Sequence, residues 1–382
     1  MRVRSALLLV LLLANGCSAG DPPAADAIAS QMPGATIVWD ALPHLPRPLS
    51  GHTTGLSHGA LLVAGGTDFP VSLFDGGSKV WYDSVYVLEP GASAWRLTST
   101  LPHRLAYAAT ASASNRILLA GGSDETRHVA DAFALEWVDG TLRRTALPPL
   151  PAPLAMAGAA VVGQTLYVAG GHDAPASAQA SNLVMALDLQ TPDAGWQALP
   201  PFPGPGRILP VVVAQAGQLF VASGASLSPG ANSGIVRHYL TDAYAWTPEA
   251  EATIPADAAH AIARGSWRRI ADVPRAVTAA PAAASGQTHI IVFGGDDGTL
   301  ADRVTELEDS HPGFSRDVLA YDVAADNWTS VGSMPEGLVT TAAVPLGDAI
   351  AIVGGEDRPG HRSASAHRRR PAQTSPAPTE GS

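Results

Sequence analysis

The residues best equipped for chemistry lie just behind short apolar runs: Asp68, Asp124, His172-Asp173, Asp296-Asp297 and Glu356-Asp357. A carboxyl partly withdrawn from water can take and return a proton near neutrality, and a nearby cation can hold an anionic ligand. Lys79, Arg207 and Arg237 fall in turn regions and could supply that charge. Carboxylates and cations gathered around one funnel would suit a sugar. Each Asp also has a plainer use, because Asp after a glycine pair is good turn chemistry. Both uses stay open for Asp124, His172, Asp296 and Asp297. The densest stretch, Glu356-Asp357-Arg358-Pro359-Gly360-His361-Arg362, is either a reactive loop or the point where the fold ends.

Familiar catalytic sets are missing from the sequence. There is no HExxH, no GxSxG elbow, no GxGxxG or GxxxxGK[ST] phosphate loop, and the 12 histidines are scattered. His44, His52, His58, His103 and His128 are expected at surfaces or turns, and neither metal nor cofactor is expected. Cys17 is the only cysteine, so the folded part has no thiol nucleophile, thiolate ligand or disulfide.

The 382 residues are 46% apolar and 15% charged, enough for a large core. With 38 Gly and 32 Pro and no collagen period, they imply many turns between short strands. A net charge of −11 argues against a nucleic-acid partner or direct contact with an anionic membrane. Arg2 and Arg4 precede a nine-residue apolar run, Ala6 to Ala14, too short to span a bilayer. Leu13-Ala14-Asn15-Gly16-Cys17 resembles a bacterial lipoprotein signal. The expectation is a signal at 1–17 with lipidation at Cys17, a tether over 18–35, and a periplasmic or outer-membrane location in which the lipid is the sole membrane contact.

An apolar strand ending in two small residues recurs: LLVAGG to Gly66, ILLAGG to Gly122, LYVAGG to Gly171, LFVASG to Gly224, IIVFGG to Gly295 and IAIVGG to Gly355. Most copies are followed by a tryptophan and then by Leu-Pro, Val-Pro or Met-Pro. This resembles the kelch repeat, four strands per propeller blade. The resemblance implies an all-β, six-bladed kelch β-propeller over 36–363, with the apolar run as the buried second strand of each blade. Thr36-Ile37-Val38-Trp39 looks like a fourth strand with no blade before it, and the sixth copy has none after it. The propeller is therefore expected to be circularly permuted, with the N-terminal strand completing the last blade.

The stretches LPRPLSGHTTG, GSKVWYDSVYVLEPG, LPPLPAPLAMAGA, RHYLTDAYAW and HPGFSRDVLAYD resemble the cyclically permuted mutarotase family, which includes the sialic acid mutarotases. In that family Gly-Glu leads to Pro-Gly and then to an Arg six residues after the Glu, as Gly355 to Arg362 does here. The resemblance implies that Glu356 is the acid/base, that Arg362 is its catalytic partner, and that the substrate is a small acidic sugar whose anomers are interconverted. A lipid-anchored propeller that binds a glycan or protein without chemistry is the competing expectation, since fold alone does not decide function.

Beyond Ser363 the sequence SASAHRRRPAQTSPAPTEGS has no apolar residue larger than Ala. By pattern it cannot be a buried strand. The expectation is a disordered tail over 364–382, an incomplete sixth blade, and a loosely held strand at 36–41.

Overall fold

The computed structural model describes residues 37–231, 234–249 and 264–370. The signal, Cys17 and the tether up to residue 35 lie outside them. Six four-stranded antiparallel sheets form the six expected blades. The first four are built on second strands Ala60–Ala64, Arg116–Ala120, Thr165–His172 and Gln218–Ala222, the fifth on His289–Phe293 and the sixth on Ala349–Arg358.

The sequence of these strands explains the architecture. Side chains alternate along a strand, so a strand apolar at every position must be covered on both faces. In blade 1, Leu61 and Val63 face blade 6 while Ala60, Leu62 and Ala64 face blade 2. The same alternation yields an apolar cluster at every blade junction. Tryptophans tie neighbouring blades through their indole N–H. Trp95 donates to the Pro43 carbonyl, Trp196 to Pro148, Trp267 to Pro200, Trp328 to Ala271 and Trp39 to Ser333, at 2.8–2.9 Å. Trp137 is the variant, sitting on a third strand and reaching the Glu89 carboxylate at 3.2 Å.

Around the axis the blades are locked by a backbone collar. Tyr107 N donates to Gly51 O, Met156 to Tyr107, Leu209 to Met156, Ala279 to Leu209, Thr340 to Ala279 and Gly51 to Thr340, at 2.7–3.0 Å. The circle closes on itself. Each of the six residues has φ between 52° and 65°, and five are not glycine. Left-handed backbone at such residues is held against a local preference of about 1–2 kcal/mol each. On one side of the collar the first strands, rich in Ala and Val, line an axial channel of about 350 Å3. On the other side a funnel of about 800 Å3 opens. Leu209, Ala279 and Thr340 face both spaces.

The sixth blade corrects the expectation of an open edge. His361–Arg370 forms a third strand between Ala349–Arg358 and the N-terminal strand Val38–Ala41, with register shifts near the hairpin. Pairing continues beyond it, with Leu42 N on Ala366 O, Leu45 N on Ala364 O and Leu49 N on Ser363 O. Absence of large apolar residues misled the reading for a physical reason. Ala364 and Ala366 suffice to join the apolar cluster around Leu45, Val344, Ala351 and Val353. Farther out, arginine stems cover the sheet while their heads stay polar. Arg368 and Arg370 both donate to the Asp40 carboxylate, at 3.0 and 2.8 Å. The folded part thus runs to Arg370, and the remainder of the expected tail, 371–382, lies outside the described residues.

Candidate functional site

One position per blade decides what the funnel contains. The residue after each small-residue pair bridges, backbone to backbone, to the residue preceding the collar. These pairs are Thr67 with Ser50, Ser123 with Ala106, His172 with Ala155, Ala225 with Ile208, Asp296 with Thr278 and Glu356 with Val339. The six positions are equivalent under the pseudo-sixfold axis. Blades 5 and 6, which are neighbours, place carboxyl groups there. The glycine pairs make the approach possible: at Gly355, with φ 115°, a Cβ would lie 2.8 Å from the Val339 carbonyl oxygen.

Glu356 sits near the end of its strand and Arg362 near the start of the next, and they face each other in register across the hairpin. Arg362 Nη1 lies 2.8 Å from Glu356 Oε1. The same oxygen accepts from Gly360 N at 2.9 Å. The guanidinium stacks 4.8 Å from the centre of the Phe69 ring. Its side chain is 3% exposed and that of Glu356 17%, so the carboxylate is the member that meets the funnel. Arg362 therefore acts as the fixed counter-ion that orients Glu356.

Insertions from blades 1 and 5 meet over this hairpin. Ser72 Oγ donates to both Asp309 carboxylate oxygens at 3.1 and 3.0 Å. Phe314 N donates to Asp357 O at 3.0 Å, and Asp357 accepts from His361 Nδ1 at 2.7 Å. The Glu356 loop is held by its own strands and by both insertions.

The facing wall is built by blade 5 and by an inserted hairpin of blade 4, Ala225–Pro229 with Ile235–Tyr239. Asp296 Oδ1 accepts from Gly298 N at 2.9 Å and Oδ2 accepts from Tyr239 O–H at 3.0 Å. Burial pushes the Asp296 carboxyl up, against the opposing pull of those two donors. Burial beside Asp296 pushes the Tyr239 phenol up to about 12. His311 accepts from Gly313 N on Nδ1 at 3.1 Å, which leaves the proton on Nε2, and burial lowers its basicity. Arg237, Asp297 and His311 line the funnel together with Asp296 and Glu356. Asp297 also caps its own turn through Thr299 N and Oγ1, at 2.9 and 2.7 Å.

Other expected residues are placed elsewhere. Lys79 lies in the blade 1 insertion, 3.3 Å from Tyr107 Oη and 5.3–5.8 Å from the ring centres of Phe69, Trp81 and Tyr107. Phe69 links it to Arg362. Arg207 is a correction: it is wholly buried, paired with Asp242 at 2.8 Å and bonded to the Ser223 carbonyl at 3.0 Å, so it braces blades and does not face the funnel. Asp124 closes a turn by accepting from Thr126 N and Arg127 N at 2.8 and 2.9 Å, which is the plainer of its two expected uses. His172 is buried, with Nε2 3.1 Å from His128 Nε2. His52 and His128, expected at surfaces or turns, are buried as well, and burial pushes each down to about 4. Tyr239 and His311 were not singled out by sequence reasoning. Their available signal was position, just before third strands, in RHYLTDAYAW and HPGFSRDVLAYD.

Comparison with known proteins agrees with this architecture. Residues 153–192 match the Kelch motif. The chain is 35% identical over 106 residues to the N-acetylneuraminate epimerase of Haemophilus influenzae strain PittEE, covering 23% of this chain and 28% of that protein. It is 25% identical over 243 residues to the protein of the same name from Haemophilus influenzae strain 86-028NP, covering 58% of each. It is 27% identical over 263 residues to that from Brucella melitensis, covering 61% of each. The matches thus span less than two thirds of these relatives' length. The solved structure of YjhT superposes with a TM-score of 0.62 at 15% identity, over 86% of this chain and 96% of that one, which establishes the shared fold. The chain is a kelch-motif, six-bladed propeller similar to proteins named N-acetylneuraminate epimerase.

Proposed function

We propose that this propeller is a sugar mutarotase that interconverts the anomers of N-acetylneuraminate, or of a close acidic relative, by acid/base ring opening and closing. The observation that carries the reading is the Glu356 carboxylate, fixed at 2.8 Å by Arg362 and opening onto a funnel of about 800 Å3. A hemiketal ring opens when its anomeric hydroxyl loses a proton and its ring oxygen gains one. A positioned carboxylate supplies about 10²–10⁴-fold for such transfers, which suffices for a reaction that already proceeds in water. Arg237, and Lys79 on its aromatic platform, are the cations to which the sugar carboxylate would be drawn. The names of the curated relatives support the sugar class. From the pattern between Arg2 and Cys17 we infer that the protein is carried outside the inner membrane on a lipid anchor.

The test is NMR of freshly dissolved crystalline N-acetylneuraminate, following the approach of the anomers to equilibrium. Wild-type protein should accelerate it and Glu356→Gln should not. Equal rates for the two would reject the mutarotase and leave a propeller that binds its ligand without chemistry.

A further inference from the structure

The funnel holds a second carboxyl group whose surroundings differ from those of Glu356. The geometry points to Asp296 as the second acid/base of the site, working opposite Glu356 on the same bound sugar. This inference rests on the mutarotase reading above.

Position comes first. Asp296 and Glu356 occupy the same point of the repeat in adjacent blades, each directly after its glycine pair and each bridged to the residue preceding the collar. Both line one cavity together with Thr340 and Ala279 of the collar, so a ring resting there would meet both carboxyls. Four of the six equivalent positions hold Thr67, Ser123, His172 and Ala225, none of them an acid, so the acids are confined to one sector of the funnel.

Environment comes second. Glu356 faces a guanidinium at 2.8 Å and accepts from a backbone N–H. Among the described residues Asp296 has no cation in hydrogen-bond contact; its partners are the neutral Tyr239 hydroxyl and Gly298 N–H. The titratable and charged groups facing it are Tyr239 and Arg237 from the inserted hairpin, Asp297 beside it in sequence, and His311 from the following insertion. Arg237 favours its ionised form, Asp297 opposes ionisation, and burial opposes it most. Two carboxyl groups so differently surrounded, one against a cation and one among neutral donors, divide into a base and an acid.

The chemistry balances. Glu356 takes the proton of the anomeric hydroxyl as the bond from the anomeric carbon to the ring oxygen breaks and the carbonyl forms. Asp296 gives its proton to the ring oxygen. After rotation of the open chain, Asp296 takes that proton back as the hydroxyl attacks the other face of the carbonyl, and Glu356 returns its own to the carbonyl oxygen. No electrons leave the sugar, and both groups end as they began. Tyr239 acts as a positioning residue that fixes Oδ2 of Asp296.

Two readouts on the full chain test this. With carboxyl-13C aspartate in the protein, one resonance that is absent from Asp296→Asn should titrate above the ordinary carboxylate range and move in Tyr239→Phe. The anomerisation rate of Asp296→Asn should fall at least about tenfold in kcat with little change in KM, and its pH profile should lose the limb in which rate falls as pH rises. Tyr239→Phe should shift that limb and keep most of the rate. An Asp296 resonance in the ordinary range overturns the assignment, as does an Asp296→Asn enzyme with wild-type kcat. Wild-type protein that fails to accelerate the reaction overturns the mutarotase reading as well; a failure of Asp296 alone shows as an active wild type matched by its variant.

Discussion

Blades 2 and 3 and blades 5 and 6 present equivalent positions to the funnel and fill them with opposite chemistry. On the first side, His172 and its neighbour His128 are buried against each other, Nε2 to Nε2 at 3.1 Å, and both imidazoles are pushed toward the neutral form. On the second side, Asp296 and Glu356 open onto the cavity and are held by groups reaching in from other elements. The backbone is the same on both sides: a small-residue pair, one bridge and a left-handed collar residue. What differs is the insertion above. The blade 1 and blade 5 insertions and the blade 4 hairpin stand over one sector, and the two carboxyl groups lie where those walls are.

The sharpest way to break this contrast is a matched pair of substitutions. Glu356→Gln keeps the shape but loses the base, and should lower kcat for anomer exchange by about 10²-fold or more. His172→Gln, at the equivalent place two blades beyond blade 1, should leave kcat within about twofold if the histidine side only braces the fold. Comparable losses in both would mean that the whole rim is catalytic and that the sector argument is wrong. Arg362→Lys is the next test. Its ammonium keeps the charge but cannot reproduce a planar head stacked on Phe69 while pairing with Glu356. A loss of about tenfold in kcat, larger than any change in KM, is expected from steady-state rates; full activity would show that charge alone is needed.

A smaller effect separates loop geometry from chemistry. Gly360 has φ 78°, its N–H holds Glu356, and a Cβ would lie 3.2 Å from Leu73 Cβ. Gly360→Ala should therefore destabilise by about 1–2 kcal/mol in denaturant melts, with kcat falling because the Glu356 oxygen loses its exact placement. An unchanged midpoint would show that the roof above the hairpin yields freely.

Much of this was legible in the sequence, and the illegible parts share a cause. Six apolar runs ending in small residues must be six buried strands with tight turns, so blade number and the position of Glu356 could be read directly. The strand His361–Arg370 could not. Its burial depends on Val38–Ala41 and Asp40, more than three hundred residues away in sequence, and a window of Ser, Ala and Arg carries no trace of them. Arg207 was misjudged in the same way, because its partner Asp242 lies elsewhere in the sequence, just before the strand Ala243–Pro248. Asp296 was found but its Tyr239 partner was not, since an inserted hairpin supplies it.

The contrast between the two sides also has a consequence in acid. His128 and His52 keep neutral imidazoles because burial depresses them to about 4 from the usual 6.5. The unfolded chain takes up those protons near 6.5, the folded chain only near 4. Between these values the unfolded state binds more protons, so stability rises with pH there. It is complete above about 6.5 and is lost progressively as pH falls toward 4. Thermal midpoints of the wild type should decline across that window, and His128→Gln should flatten part of the slope while changing little at pH 7.5. The Glu356 sector should respond differently: Glu356→Gln removes no imidazole and should leave the histidine part of the slope as in the wild type. Equal slopes in wild type and His128→Gln would mean that the paired imidazoles exchange protons as freely folded as unfolded, and the closed side of the funnel would then be open to water.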